Sequence, residues 1–119
     1  MARSAGSYSV DSHFEGKEPG LRAAYARLLA AVRRFGSVTE DPKKTSIHLN
    51  RTSALAGVQV RKGHLILTIK SDRAIRSARI HKSEQVSAHR FHHELKLFSP
   101  EDVDGELRTW LKAAYELSA

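Results

Sequence analysis

The stretch AGVQVRKGHLILTI, residues 56–69, decides the fold. Ala56, Val58 and Val60 alternate with small or polar residues, and aliphatic residues alternate again from Leu65 to Ile69. A repeat of two is typical of a β-strand with one buried face. The polar run between the two halves, Arg61-Lys62-Gly63, predicts the turn of a β-hairpin.

The same repeat recurs on both sides of this hairpin. Apolar and polar residues alternate over residues 47–49 and again over residues 93–97, so the sequence predicts four antiparallel strands. Residues 71–88 lack this alternation. Cations recur there at every third position, which suits either a helical face or an extended basic loop, and the serines of the segment favour the loop.

Amphipathic helices are predicted towards both ends of the chain. Between Leu21 and Phe35, apolar residues recur at steps of three and four, after Pro19 and just before Gly36. Ser99 and Pro100 signal the start of the second helix, and the acidic residues that follow suit the positive end of its dipole. These elements predict an α+β two-layer sandwich: an N-terminal helix, a four-stranded antiparallel sheet and a C-terminal helix, with the helices on one sheet face.

Length and composition predict a single domain. The chain has 119 residues, 40% of them hydrophobic, and contains no cysteine. We expect residues 1–17, rich in Gly and Ser, to be a loosely ordered N-terminal segment and residues 18–119 to form the domain. No segment approaches the ~20 apolar residues of a membrane span, and no signal peptide is evident. The expected protein is cytoplasmic, does not associate with membranes and carries no cofactor.

Positive charge is concentrated in the middle of the chain. Residues 41–98 hold twelve Lys and Arg against four Asp and Glu, together with six of the seven histidines. Residues 99–119, by contrast, hold two basic residues against five acidic ones. This distribution favours an anionic partner such as a nucleic-acid backbone. A solvated basic surface without a ligand is the alternative.

Strand alternation assigns the polar residues to one face of the sheet. If the aliphatic positions face the helices, the opposite face displays His48, Asn50, His64, Thr68, Lys70, Arg90, His92, Glu94 and Lys96. Such a surface can hold a phosphate, a carboxylate or a nucleic-acid backbone. No Phe, Tyr or Trp is expected at the exposed strand centres, so the pattern does not favour stacking of bases on the sheet. An ordinary hydrated sheet face is the alternative.

Signals for catalysis or metal binding are weak. His92 and His93 point to opposite sides of a strand, so a metal site would need His92 and a partner from a neighbouring strand. The triplet Glu94-Leu95-Lys96, with Asp72 upstream, resembles the pattern of metal-dependent nucleases, but the second carboxylate is missing where that chemistry requires it. We therefore expect no metal site and no catalytic residues, and an enzyme is not the favoured interpretation.

Several short motifs resemble those of a known family. They are His13-Phe14-x-Gly16, Lys44-x-x-Ile47, Val60-Arg61-Lys62, His93 and the run from Ser99 to Asp104. From about Tyr8 to Leu117 the chain resembles a widespread bacterial domain of unknown function, which also ends longer chains labelled predicted transport proteins. The layout is distantly similar to that of iron-chaperone-like α+β domains. The resemblance implies the fold and no activity, and it singles out Lys44, Arg61, Lys62 and His93.

The favoured hypothesis is a non-enzymatic binding module whose basic sheet face engages an anionic partner, either a nucleic-acid backbone or a phosphorylated ligand. The candidate ligand-binding residues are Lys44, Arg61, Lys62, His64, Lys70, Arg90, His92 and His93, with the basic segment 73–82 contributing. The first alternative is a protein-interaction or small-ligand domain with a pocket between sheet and helices, near Lys44, Arg61 and His93. The second is a metal-dependent nuclease.

Overall fold

A computed structural model describes residues 8–119 of the protein and shows an α+β fold with one antiparallel sheet. The helices are α1 (Val10–Phe14), α2 (Pro19–Arg33) and α3 (Gly105–Leu117), and a 3₁₀ turn spans Pro100–Asp102. The strands are β1 (Thr39–Pro42), β2 (Ile47–Asn50), β3 (Ala54–Val60), β4 (Leu65–Ser71), β5 (Ile80–Ser87) and β6 (Arg90–Leu97). They lie side by side in the order β1-β2-β3-β4-β6-β5. The predicted fold class, with N-terminal helix, antiparallel sheet and C-terminal helix, is confirmed.

The prediction of four strands was wrong, because the sheet has six. The two missed strands, β1 and β5, are the edge strands, and neither buries a face: seven of the eight residues of β5 are exposed. Alternation reports a strand only where one side meets an apolar layer, so these strands leave no periodic trace in the sequence. The segment predicted as a loop or helical face therefore contains strand β5 over most of its second half.

The central hairpin forms as predicted. In β3 and β4, Val58 lies opposite Leu67 and Val60 opposite Leu65. The backbone N–H of Arg61 donates to the carbonyl of His64 at 2.9 Å, which closes the turn around Lys62 and Gly63. Strand β4 then pairs with β6 on its other side. Strands β3, β4 and β6 thus form the middle of the sheet.

The hydrophobic core lies between these central strands and helices α2 and α3. Alternate strand residues are fully buried, among them Val58, Leu67 and Leu95. Each helix contributes one apolar side, represented by Leu28 in α2 and Leu111 in α3, both with no exposed surface. Removing such a leucine side chain costs about 2–5 kcal/mol in a packed core. The core therefore fixes which sheet face is covered by helices and which is open.

The N-terminal helix α1 lies within the segment expected to be loosely ordered; residues 1–7 of that segment are outside the described residues. Its residue Phe14 is buried and packs on the ring of Tyr25, with 5.3 Å between the ring centroids. The Nε2 of the neighbouring His13 donates to the carbonyl of Lys43 at 2.8 Å. The motif around His13 thus ties α1 to the β1–β2 turn.

Helix α3 begins later than the sequence predicts. Ser99 and Pro100 begin the 3₁₀ turn instead, where the Asp102 carboxylate accepts hydrogen bonds from the backbone N–H groups of Phe98 and Ser99. Asp104 then caps α3 by accepting from the N–H of Leu107 at 3.0 Å. The acidic residues that the sequence predicts at one helix start therefore cap two successive elements, the 3₁₀ turn and α3.

The last turn of α3 is joined to the loop between β2 and β3. The carbonyl of Ser118, which directly follows α3, accepts from the N–H groups of both Thr52 and Ser53, at 3.0 and 3.2 Å. Arg51 donates to the carbonyl of Tyr115 and lies over its ring, 4.3 Å from the centroid. The loop at residues 51–53 is therefore held by the helix layer.

Gly36, which follows α2, has a backbone conformation that other residues rarely adopt. Its φ is +151°, and a Cβ atom placed there would collide with the hydroxyl of Tyr115. That hydroxyl donates to the carbonyl of Ser37 at 3.3 Å, so it cannot move away without losing a bond. Close packing of α3 against the α2–β1 connection thus requires glycine at this position.

We predict that Gly36→Ala lowers the free energy of unfolding by roughly 1–3 kcal/mol, because strain at a positive φ adds to the collision with Tyr115. Chemical denaturation followed by circular dichroism measures the change. Gly20→Ala is the matched control, because a Cβ atom added to Gly20 would meet no atom within 4 Å and Gly20 has no positive φ. Equal stability of the two variants would contradict the proposed role of Gly36.

Candidate anion-binding face

The face of the sheet away from the helices, here the open sheet face, is formed by alternate residues of the central strands. Lys70 lies opposite His92, Thr68 opposite Glu94 and Ile66 opposite Lys96 across the β4–β6 ladder. Their chain neighbours Leu67, Ile69 and Leu95 are fully buried. The alternation therefore separates polar from aliphatic side chains.

One group of basic side chains on this face is the Lys70 cluster, made of Lys70, Arg90 and His92. The Lys70 Nζ donates to the Ser53 Oγ at 3.0 Å, so the side chain is anchored to the β2–β3 loop. Burial lowers the pKa of Lys70, and the nearby Arg90 guanidinium lowers it further. Both effects disfavour the ammonium form, and a bound anion would relieve the repulsion.

A second group, the His64 cluster, lies at the other end of the face and contains His64, Arg61, Lys96 and His81. Burial lowers the pKa of His64, and repulsion by Lys96, Arg61 and His81 adds to that effect. The His64 ring also packs near Phe98, with 5.7 Å between centroids. Lys96, Arg61 and His81 thus lie close enough to His64 to disfavour its charged form.

A shallow concavity of about 260 Å³ lies beside the Lys70 cluster, over strands β2, β3 and β4. His48, Gln59, Thr68, Lys70 and His92 contribute to its lining. Gly57 forms part of its floor, where a Cβ atom would lie 3.7 Å from the His48 ring. Along the strands, Lys96 lies four residues and His64 six residues from the level of Lys70, about 13 Å and about 20 Å. The face therefore offers two basic regions, with a hollow beside the Lys70 cluster.

Apart from His81, which contacts Glu94, the basic residues of the two clusters form no salt bridge within residues 8–119. Within residues 8–119, the salt bridges engage other cations, and none includes Arg61, Lys62, Lys70, Arg90 or Lys96. Neither Lys70 nor His64 has a carboxylate among the groups that shift its pKa. The positive electrostatic potential of this face therefore extends into the solvent.

The acidic residues on this face lie towards the β5 edge. Glu94 approaches His81, with 3.2 Å between Oε1 and Nε2, and lies opposite Lys82. Glu84 lies opposite His92. Sequence reasoning placed Glu94 on this face and included Lys82 in the basic segment 73–82, but it missed His81 and Glu84. These residues are assigned to the open sheet face only once strand β5 is recognised. The local sequence signal for that strand is the short Ala88-His89 connection before β6.

His93, one of the predicted ligand-binding residues, is fully buried on the helix side of the sheet. Its Nδ1 lies 2.8 Å from the Ser83 Oγ and its Nε2 lies 3.0 Å from the carbonyl of Arg73. Because a carbonyl only accepts, Nε2 carries the proton and Nδ1 accepts from the serine hydroxyl. Both ring nitrogens are thus occupied in joining β5 and the β4–β5 loop to β6.

The other predicted residues separate into two places. His64, Lys70, Arg90 and His92 belong to the open sheet face, and Arg61 reaches it from the β3–β4 turn. Lys44 and Lys62 are exposed in the turns at one end of the sheet. His93 lies four residues of β6 from that end, about 13 Å along the strand. The structure therefore does not assemble Lys44, Arg61 and His93 around one pocket.

The basic segment 73–82 is also used internally. Arg79 contacts the carboxylates of Asp104 and Glu106 at 2.8 and 3.2 Å and donates to the carbonyl of Asp102. Burial opposes the charge of Arg79, but the bonds to the two carboxylates outweigh it and raise the pKa of this residue. Arg73 pairs with Asp72. This segment is thus not a continuous free basic strip.

Residues 8–119 contain no group of three or more His, Asp and Glu side chains placed to hold a metal ion. In that same range, every helix is too short or too polar to cross a bilayer.

Fold and surface define a small α+β domain with a cationic, helix-free sheet face. The profile of a family described as a domain of unknown function (DUF5655) matches residues 10–118, and the chain belongs to that family. No curated protein and no solved structure shows significant similarity to the chain. The family assignment extends over α1 to α3 and assigns no activity.

We predict that Lys96→Gln raises the pKa of His64, because Lys96 is the strongest of the charges that lower it. NMR titration of the histidine ring protons measures this pKa directly. Lys62→Gln, which removes an equal charge two residues from His64, is the control, since Lys62 is not among the groups that act on His64. An unchanged His64 pKa in Lys96→Gln would show that the two side chains do not share one electrostatic environment.

Proposed function

We propose that the protein is a non-enzymatic binding module whose open sheet face holds the phosphate backbone of a nucleic acid. The observation that carries the proposal is the presence of two basic clusters on one sheet face, whose Lys and Arg side chains form no salt bridge within residues 8–119. Phosphates attract such clusters and release counterions when they bind, which makes the interaction favourable at low salt.

The spacing of the clusters favours a polymer over a single phosphorylated molecule. Members of the Lys70 and His64 clusters lie about 13 to about 20 Å apart along the strands, close to four to six steps of ~3.4 Å along one strand of a duplex. The lining of the concavity beside the Lys70 cluster includes His48, His92, Thr68 and Gln59, which can donate to phosphate oxygens. A small phosphate would contact one cluster only, whereas a backbone would contact both.

The face is suited to contact with the backbone and not to reading of bases. Its strand centres carry Thr68, Glu94 and Gly57. The exposed aromatic ring nearest the His64 cluster, Phe98, lies beyond the end of β6. Base recognition in single strands depends on stacked rings, so the proposed binding has low sequence specificity. The acidic residues near β5 would direct the polymer towards β3 and β4.

We predict that Lys70→Gln/Arg90→Gln weakens binding of a fluorescent DNA duplex and lowers the slope of log affinity against log salt by roughly 2, about 0.9 for each lost phosphate contact. Fluorescence anisotropy titrations over a salt series measure both quantities. The control is Arg34→Gln/Lys112→Gln, which removes the same charge from the exposed surface of helices α2 and α3.

Two results would contradict this proposal. A parent affinity that is independent of salt would exclude phosphate contacts as its source. An equal loss in the two double variants would show that total charge, and not the open sheet face, attracts the duplex. Circular dichroism spectra of both variants establish that the fold is retained.

The competing interpretation as a metal-dependent nuclease centres on Glu94. In the structure this carboxylate contacts His81 and lies opposite Lys82, whereas Asp72 pairs with Arg73. We predict that supercoiled plasmid stays intact with either Mg²⁺ or Mn²⁺, for the parent protein and for Glu94→Ala alike. Gel electrophoresis provides the measurement. Cleavage by the parent that is lost in Glu94→Ala would replace the binding proposal with an enzymatic one.

The cellular setting belongs to the same proposal. The absence of cysteine from a chain of this length suits a reducing compartment such as the cytoplasm. Bacterial origin and kinship with the C-terminal domains of longer chains follow from the sequence resemblance and stay predictions.

A further inference from the structure

A second cationic surface lies on the helix layer, away from the open sheet face. Helices α2 and α3 enclose a groove of about 750 Å³. Its charged lining residues are Arg27 from α2, Arg34 directly after α2, and Arg108 and Lys112 from α3; all four are exposed. The lining includes no Asp or Glu. The volume lies within the range of about 300–1,000 Å³ that small-molecule sites occupy.

The depth of the groove comes from small side chains. Ala30 and Ala31 on α2 face Gly105 and Thr109 on α3, so the two helices leave a depression where larger residues would fill it. Phe35 adds an aromatic ring to the lining, and that ring is only partly buried against the core. The groove thus combines an apolar floor with a charged rim.

The dimensions of the groove favour a small molecule. On one side the charged lining extends from Arg27 in α2 to Arg34 just after it, and on α3 the lining extends from Gly105 to Lys112. Seven residues of helix correspond to about 10 Å, or two turns. This length matches a molecule of nucleotide size and is short for a partner helix of several turns.

The cations of the groove are available for a ligand. Within the part of the chain that the structure describes, Arg27, Arg34, Arg108 and Lys112 take part in no salt bridge. Arg108 donates to the carbonyl of Val103 at 3.2 Å, which holds its guanidinium at the start of α3. Three guanidinium groups can each bind phosphate oxygens through two parallel hydrogen bonds.

We propose that the α2–α3 groove binds a nucleotide-sized organic polyphosphate, with its phosphates on the arginines and Lys112 and its flat apolar part against Ala30 and Phe35. This site is independent of the nucleic-acid proposal, because it lies on the other layer of the fold and uses different residues. Its ligand is a small molecule, whereas that of the open sheet face is a polymer.

Isothermal titration calorimetry with ATP tests the proposal, with inorganic pyrophosphate and adenosine as partial ligands. We expect ATP to bind more tightly than pyrophosphate, because the apolar floor adds contacts, and adenosine to bind more weakly than either. Arg34→Gln/Lys112→Gln should weaken ATP binding at least tenfold. Ala30→Trp should have a similar effect without any change of charge, since it fills the groove, and Ala30 is exposed, so the fold should tolerate it.

The reciprocal control is Lys70→Gln/Arg90→Gln, which should bind ATP as the parent does. Absence of ATP binding by the parent at about 1 mM would overturn the inference. So would normal ATP binding by Ala30→Trp, or a loss of ATP binding caused by the Lys70 and Arg90 changes. The same two double variants are used to measure duplex binding and ATP binding. A negative result for one ligand therefore does not decide the proposal for the other.

Discussion

The structure depends on one constraint, the burial of every second side chain of strands β3, β4 and β6 against helices α2 and α3. Val58, Leu67 and Leu95 represent the covered side, and all three are fully buried. A shift of one residue in any pairing would turn these side chains to solvent and bring Lys70 or Lys96 into the core. The same force that builds the core therefore also creates the polar surface on the other side.

Polar contacts complete what hydrophobic burial begins. The edge strand β5 buries almost nothing of its own, and it is held by its ladder to β6, by the Ser83–His93 bond and by Arg79. Arg79 joins the start of β5 to the start of α3 through the carboxylates of Asp104 and Glu106. Buried or half-buried groups of this kind are costly to leave without partners, so they determine where the strand docks.

The sequence predicted those elements that meet the core. Both long helices, the central hairpin and the last strand each bury one side, so their hydrophobic repeats are visible. Strands β1 and β5 have no buried side, and β5 carries a bulge near each end, so neither follows a simple repeat. The same limit applied to the candidate site. Lys70 and His92 were placed on the open sheet face by alternation, whereas the α2–α3 groove depends on how two helices pack, which no local pattern encodes.

His93 illustrates why residue type alone does not identify a site. Alternation assigned it to the aliphatic side of β6, and the structure adds two hydrogen-bond partners that lie 10 and 20 residues away in sequence. Such partners come from a strand and a loop with no periodic signal. The sequence alone therefore does not distinguish a histidine that joins three segments from a histidine that binds a ligand.

The junction between Ser118 and the loop at residues 51–53 has a mechanical consequence. The backbone N–H of Ser53 donates to the Ser118 carbonyl. The hydroxyl oxygen of the same residue accepts a hydrogen bond from the Lys70 ammonium. Unwinding of the final turn of α3 would free this loop and leave Lys70 to sample many rotamers. The position of the Lys70 side chain on the open sheet face therefore depends on the end of helix α3, which packs on the opposite face.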